Sequence, residues 1–283
     1  MTGQTSARPF LKWAGGKTQL LAQLAPLIPP RFSGYHEPFV GSAAVFFYLQ
    51  AAGSFHSTSR PRLTDSNAEL INGYQAVRDE VEPVIDLLAR HKLRHSKEYY
   101  YAVRAQVPAE LSHVERAARL IYLNKTCFNG LYRVNSKGQF NVPLGRYKNP
   151  GIFSAEELRA ASWALTDATI EVGDFQSVTK HARSGDFVYF DPPYHPLTAT
   201  ANFTSYTANE FGEKEQRELA EVFRALDAKG CRLMLSNSWT PFILGLYTGF
   251  NLVEVKATRQ INSDAGKRGK VSEVVVMNYE IAR

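Results

Sequence analysis

Four residues of this chain, Asp191-Pro192-Pro193-Tyr194, have types and spacing that could carry chemistry together. The run before them, Phe187-Val188-Tyr189-Phe190, reads as a buried strand. The tetrad therefore leaves a strand's carboxyl end, where open α/β sheets bind ligands. Two prolines stiffen the loop and remove two N–H donors. What remains is a set of acceptors, the Asp191 carboxylate and nearby carbonyls, with the ring of Tyr194 beside them. Such a set suits a flat ring bearing an exocyclic NH2: two acceptors take its two hydrogens and the tyrosine stacks on its face. The plain alternative is a proline turn with a solvated aspartate, and the rest of the chain must decide between them.

A second constellation lies near the amino terminus. Tyr35-His36-Glu37 reads as a short strand, Pro38 to Ala43 as a turn containing Phe39 and Gly41, and Ala44 to Ala51 as a helix. Arg62-Leu63-Thr64 is a second strand ending at Asp65, with Asn67 opening a helix at Ala68. Glycine in a strand-to-helix turn lets backbone approach a ligand, and an acid ending the next strand can accept ribose hydroxyls. There is no G-x-G-x-x-G, which argues against a dinucleotide. Gly15-Gly16-Lys17-Thr18 is not a P-loop, because the position five residues before Gly16 is Leu11 and no buried strand precedes it.

The third feature is charge. The chain has 283 residues and a net charge of +6. Between Glu115 and Pro150 lie seven basic residues (Arg116, Arg119, Lys125, Arg133, Lys137, Arg146 and Lys148) and one acid, so this stretch equals the whole net charge. It also holds Phe128, Tyr132, Phe140, Tyr147 and the amides Asn124, Asn129, Asn135 and Asn141. Basic, aromatic and amide side chains together contact phosphates, stack on bases and read base edges.

The elements that must position these groups follow from pattern. Phe10 to Thr18 is expected to lead into a helix ending before the Pro29-Pro30 pair, and mostly helical segments are expected from about 75 to 125. Strands are expected at Thr169–Val172, followed by Gly173-Asp174-Phe175, and at Arg232–Leu235, ending at Ser236-Asn237-Ser238. A helix over about Glu213–Lys229 and a last strand over Glu273–Tyr279 complete the reading. Hydrophobic residues make up 44%, which is a globular composition. No apolar run approaches the ~20 residues that span a bilayer, and no secretory leader is evident. Cys127 and Cys231 match no ligand spacing and read as reduced thiols of a cytoplasmic protein, with no metal site expected.

Phe10–Lys17 (FLKWAGGK), Glu37–Phe47 (EPFVGSAAVFF), Asp65-Ser66-Asn67, Asn124–Lys148 (NKTCFNGLYRVNSKGQFNVPLGRYK) and the Asp191 tetrad resemble the Dam-type, D12-class DNA adenine-N6 methyltransferases, in the order cofactor motifs, recognition region, DPPY. The resemblance covers most of the chain. It implies an α/β, Rossmann-like fold that binds S-adenosylmethionine (AdoMet), split as 1–72 and 165–283, with a mainly helical target-recognition insert at 73–164. It implies AdoMet contacts from Trp13, Lys17, Phe39, Gly41, Asp65, Asp174 and Asp191. Where the family often carries a further glycine, this chain has Ala43. The resemblance further implies double-stranded DNA as substrate, an adenine flipped onto Asp191, Pro192, Pro193 and Tyr194, and the target GATC. Lys12 would meet the first guanine, and Arg133 with Leu131 the later pairs. Phe128 would wedge beside the flipped base, with Asn129, Pro143, Arg146 and Tyr147 along the DNA. The expected protein is a monomer at the nucleoid, with or without a restriction endonuclease counterpart. Rival readings are an N4-cytosine enzyme, whose tetrad usually begins with Ser, an enzyme acting on RNA or protein glutamine, whose tetrad typically begins with Asn, and a decayed methyltransferase that only binds DNA.

Overall fold

The computed structural model describes residues 6–56, 60–197, 211–258 and 270–281. Among the described residues seven strands form one sheet in the order β3-β2-β1-β4-β5-β7-β6. They are β1 Tyr35–Glu37, β2 Arg62–Asp65, β3 Thr169–Val172, β4 Phe187–Phe190, β5 Arg232–Ser238, β6 Asn251–Thr258 and β7 Lys270–Met277. The first five run parallel, and β7 is antiparallel to both neighbours. This is the Rossmann-like α/β sheet anticipated from the motifs. β1 and β4 lie side by side, with His36 opposite Val188. The chain leaves β1 toward β2 on one side and β4 toward β5 on the other. That divergence opens a crevice above their carboxyl ends.

Both faces of the sheet are covered. Phe187, Tyr189, Met234, Val275 and Met277 point into one core, and Val188, Phe190, Leu233, Leu235, Val274 and Val276 into the other. The period-2 alternation of β4 and β5 thus feeds two layers, which is why these strands read as unbroken apolar runs. The helices are α1 Leu21–Leu24, α2 Ala44–Ala51, α3 Ala68–Asp79, α4 Val81–Leu93, α5 Lys97–Ala105, α6 His113–Thr126, α7 Ala155–Leu165, α8 Val178–His181, α9 Glu213–Ala228 and α10 Pro241–Leu246. Helix α6 starts at a Ser112/Glu115 capping box and packs against α3 and α4. From Cys127 to Pro150 the chain is irregular apart from a 3₁₀ turn, Phe128–Gly130, and isolated bridges Cys127–Leu144 and Val134–Phe140.

Three expected elements change and one strand was not foreseen. The helix expected up to Pro29 is instead a 3₁₀ turn Lys17–Gln19, the single turn α1 and a second 3₁₀ turn Ala25–Leu27. Pro26 within it lacks the N–H that a continuous helix would need. β5 continues through Ser236-Asn237-Ser238 instead of ending there. The last strand begins at Lys270, earlier than Glu273, and lies between β5 and β6. β6 was not anticipated at all: it is an edge strand, so only one side of its ladder is paired and its sequence is half polar. The expected boundary between residues 72 and 73 falls inside α3.

Candidate active site

The crevice between β1 and β4 is a cavity of about 1230 Å³. Ligand pockets commonly hold about 300–1,000 Å³, so there is room for more than one small group. Its floor is built from strand ends: Glu37 closes β1, Asp65 closes β2 and Asp191 follows β4.

The turn after β1 is tight. Gly41 has φ +44°, and a Cβ on it would stand 3.0 Å from Trp13 Cδ1. Glycine is therefore required both by the backbone and by the indole above it. Ala43 is also left-handed, φ 54°, at the start of α2. This explains why glycine suits the position in the resembling family: the methyl group strains this conformation by about 1–2 kcal/mol. Asp65 accepts from the Gly41 N–H at 3.3 Å and the Asn67 N–H at 2.9 Å. Asn67 in turn caps α3 through Glu69 and Leu70 N–H groups. Burial pushes the Asp65 carboxyl up, and these N–H groups oppose the shift.

Lys17 is 4% exposed and not a solvated helix-start lysine. Its Nζ lies 2.6 and 2.7 Å from the two Asp191 oxygens and 2.6 Å from the Gly15 carbonyl. Burial pushes the Asp191 carboxyl up, and the Lys17 ammonium pulls it back. The same Nζ sits 4.8 Å over the Tyr194 ring, whose hydroxyl donates to Glu273 Oε2 at 2.9 Å. Glu37 lies deeper, accepting from the Tyr35 hydroxyl at 2.8 Å. Burial raises its pKa to about 8, which favours the neutral form beside the Lys17–Asp191 pair.

Pro192 and Pro193 line the cavity beside Asp191. Phe39 lines it too, stacked on Phe175 at 5.5 Å and edge-on to Phe211. Asp174 borders the cavity, but its carboxylate caps the 3₁₀ turn Phe175–Ser177 through the Gln176 N–H at 2.9 Å. Trp13 is half-buried and stacks on Tyr132 at 5.3 Å.

The basic segment forms the opposite rim. Lys12, Asn129 and Leu131 line the cavity. Asn129 and Gly130 are both left-handed, φ 55° and 65°. A Cβ on Gly130 would fall 2.6 Å from Lys12 Cδ, so Lys12 runs directly across this turn. Phe128 is 46% exposed and not a core aromatic. Its N–H donates to the Pro143 carbonyl at 2.8 Å. Tyr147 lies 4.8 Å from Lys12 Nζ. Arg133 Nε donates to Asn141 Oδ1 at 2.6 Å, and Arg146 is exposed. Lys12 and Asn129 thus stand at the cavity, with Phe128 next to Asn129, Pro143 tied to Phe128 and Tyr147 against Lys12; Arg133 and Arg146 are exposed on the same segment.

Not every cation of the segment is free. Arg119 is buried and donates to the Val103 and Arg104 carbonyls at 3.0 and 2.9 Å. Arg116 pairs with Glu69. Arg119 is thereby committed inside the protein, and Arg116 is partly committed to Glu69. Lys137 and Lys148 remain exposed. Arg259 and Arg268, two further cations that the sequence offers to DNA, lie outside the described residues, as does the Lys270 side chain.

Sequence reasoning missed two residues that line the cavity, Phe175 and Glu273. Glu273 carried no signal, because its partner Tyr194 comes from a distant segment.

A family model described as D12 class N6 adenine-specific DNA methyltransferase matches residues 13–261. A type II methyltransferase, M1.LlaDCHI, of Lactococcus lactis subsp. cremoris is 45% identical over 278 residues, 96% of this chain and 95% of the relative. The type II methyltransferase M.MjaIII of Methanocaldococcus jannaschii is 44% identical, covering 96% of this chain and 99% of the relative. A DNA adenine methylase of Haemophilus influenzae is 37% identical, covering 95% and 93%. The cavity that joins an aspartate-proline-proline-tyrosine loop to a glycine turn and a strand-end acid is thus carried by a chain that belongs to the D12 class N6 adenine-specific DNA methyltransferases.

Proposed function

We propose that the protein transfers a methyl group from AdoMet to N6 of an adenine flipped out of double-stranded DNA, with GATC as its target. The observation that carries this reading is the single cavity that brings Asp191 and Tyr194 together with Trp13, Gly41 and Asp65. One end offers acceptors and a ring for an aminated base. The other offers a glycine cradle and a ribose-binding acid.

The residues fit AdoMet. At Gly41 no side chain fills the cradle, and any Cβ would crowd Trp13. Each Asp65 oxygen has one N–H partner among the described residues and retains lone pairs for hydroxyls. Trp13, Lys17, Phe39, Gly41, Asp65, Asp174 and Asp191 would hold the donor, which supplies an electrophilic methyl group on a cationic sulfur. Asp191 accepts one N6 hydrogen and the Pro192 carbonyl the other. Drawing both hydrogens aside frees the nitrogen lone pair for attack. The Lys17 ammonium opposes the burial that pushes the Asp191 carboxyl up, and so favours its ionised, acceptor form. Tyr194, tethered at its hydroxyl by Glu273, presents its ring to the base. Positioning and electrostatics supply most of the acceleration, of which pre-paid entropy can be worth roughly 7–11 kcal/mol.

Residues 73–164 act as the recognition part and 1–72 with 165–283 as the catalytic part. Lys12 and Arg133 suit the N7 and O6 acceptors of guanine. The exposed Phe128 suits the gap left by the extruded base. Among the described residues no helix is long and apolar enough to cross a membrane. We place the protein in the cytoplasm, on DNA, as a monomer, whether or not a restriction endonuclease accompanies it.

The test is to treat unmethylated duplex DNA with purified protein and AdoMet and map methylated bases at single-base resolution. N6-methyladenine within GATC is expected. Methyladenine mainly elsewhere refutes the target and leaves the chemistry standing, whereas methylcytosine refutes the chemistry. Calorimetry of Asp65→Ala should show AdoMet binding weaker by about 1–3 kcal/mol.

A further inference from the structure

The Pro193 carbonyl is held by a side chain from a helix that follows it in the chain. Gln216 Nε2, on α9, donates to it at 2.9 Å. Gln216 Oε1 accepts from Asn237 Nδ2 at 3.0 Å. Asn237 Oδ1 accepts the N–H groups of His195 and Ser238 at 3.1 and 2.8 Å. Both amides are 0% exposed.

The order of this chain is forced. A backbone N–H can only donate, so Asn237 must turn its oxygen toward His195 and Ser238. Its NH2 then faces Gln216, which must offer its oxygen in return. The Gln216 NH2 is left for the Pro193 carbonyl. The Ser238 hydroxyl adds a bond to the His195 carbonyl, closing the loop's far end onto β5. Among the described residues no donor reaches the Pro192 carbonyl.

We propose that Gln216 and Asn237 are positioning residues for methyl transfer. They capture the Pro193 carbonyl, so that of the two proline carbonyls only that of Pro192 is presented, beside Asp191, to the exocyclic amine. A loop with two prolines has no N–H of its own to set this choice, so the amide relay sets it from β5. The inference rests on the reading of Asp191 and the Pro192 carbonyl as the N6 acceptors.

Asn237→Asp tests it with little change of shape. The introduced carboxylate keeps both bonds to His195 and Ser238 but gives Gln216 a second acceptor. Gln216 must then turn its NH2 toward β5 and its oxygen toward Pro193. Gln216→Leu removes the donor outright and serves as the second variant. The single-turnover methylation rate at saturating DNA and AdoMet should fall about 10²-fold in each, the scale of an ångström-level misplacement. KM for both substrates should hold, and 2-aminopurine placed at the target position should stay as bright as with the unsubstituted protein. The double variant should be no slower than Gln216→Leu, because Asn237 acts through Gln216. Unchanged rates in both single variants overturn the proposal, as does fluorescence that falls with the rate. Asp191→Ala is measured alongside. If it too keeps its rate, the acceptor reading fails and takes this inference with it. If it is inactive while the amide variants are not, only this inference fails.

Discussion

The side chain of Asn124 brackets the main chain of Lys12, 112 positions away in sequence. Asn124 Oδ1 accepts the Lys12 N–H at 2.8 Å, and Nδ2 donates to the Lys12 carbonyl at 2.6 Å. The same Nδ2 donates to the Gly130 carbonyl at 2.9 Å. Asn124 is fully buried at the end of α6. It thus fastens the amino-terminal strap to the recognition segment and sets where Lys12 emerges, across Gly130 and beneath Tyr147.

Lys12→Ala is expected to relax discrimination at one base pair of the target by about 1–3 kcal/mol. Asn124→Ala should reproduce that loss and also destabilise the fold by about 1–3 kcal/mol, through the polar groups it leaves unpaired. Competition among single-substituted duplexes reads the first effect and urea unfolding the second. Discrimination unchanged in Lys12→Ala would remove this lysine from base reading.

Asp191→Ala should abolish turnover while DNA binding survives. Lys17→Met tests the charge that supports Asp191. Burial holds the Asp191 carboxyl above its ordinary range, and Lys17 opposes this. Without the ammonium the carboxyl keeps its proton to higher pH. The acid limb of the rate profile, measured at saturating AdoMet, should therefore move upward. A limb that stays in place would show that Lys17 does not set the ionisation of Asp191.

The affinity for DNA should fall steeply with salt, each phosphate contact adding about −0.9 to the log–log slope. Arg146→Ala and Lys148→Ala should each make the slope shallower by about that amount. Arg119→Ala should leave the slope alone and lower stability instead, since it removes a buried guanidinium that donates to the Val103 and Arg104 carbonyls. The opposite pattern would place the DNA on another face.

Glu37 governs a pH dependence of stability. Its folded pKa is about 8 against 4.5 for the free side chain. Between those values the unfolded chain releases a proton that the folded protein keeps. Stability is therefore lost as pH rises from about 4.5 toward 8, at about 1.4 kcal/mol per unit. Glu37→Gln cannot ionise. It should be more stable than the parent by roughly 3 kcal/mol at pH 7, with the difference closing toward pH 4. Urea unfolding across this range checks it, and a constant difference would mean that Glu37 is charged in the fold.

Much of this protein is legible in local sequence. β1, α2, β2, β3 and β4 fall where their runs place them, because apolar patterning, Asn67 at a cap and glycine or proline at a turn act within a few residues. The DPPY loop and the Asp65 strand end are visible for the same reason. The helix expected up to Pro29 is broken by Pro26, whose missing N–H outweighs the apolar period, and the half-polar edge strand β6 was missed because it carries too little apolar pattern of its own.

What the tertiary structure alone decides is pairing between residues far apart in the chain. Composition counts seven cations between residues 115 and 150, but only packing shows that Arg119 serves two carbonyls and Arg116 serves Glu69. Motif order places Lys17 and Asp191 in one site, but not in one ion pair spanning 174 positions. No spacing links Gln216 to Pro193 or Asn124 to Lys12. A buried polar group must find its partner wherever the fold brings one, and nothing in the residues adjacent to it in sequence records which partner that is.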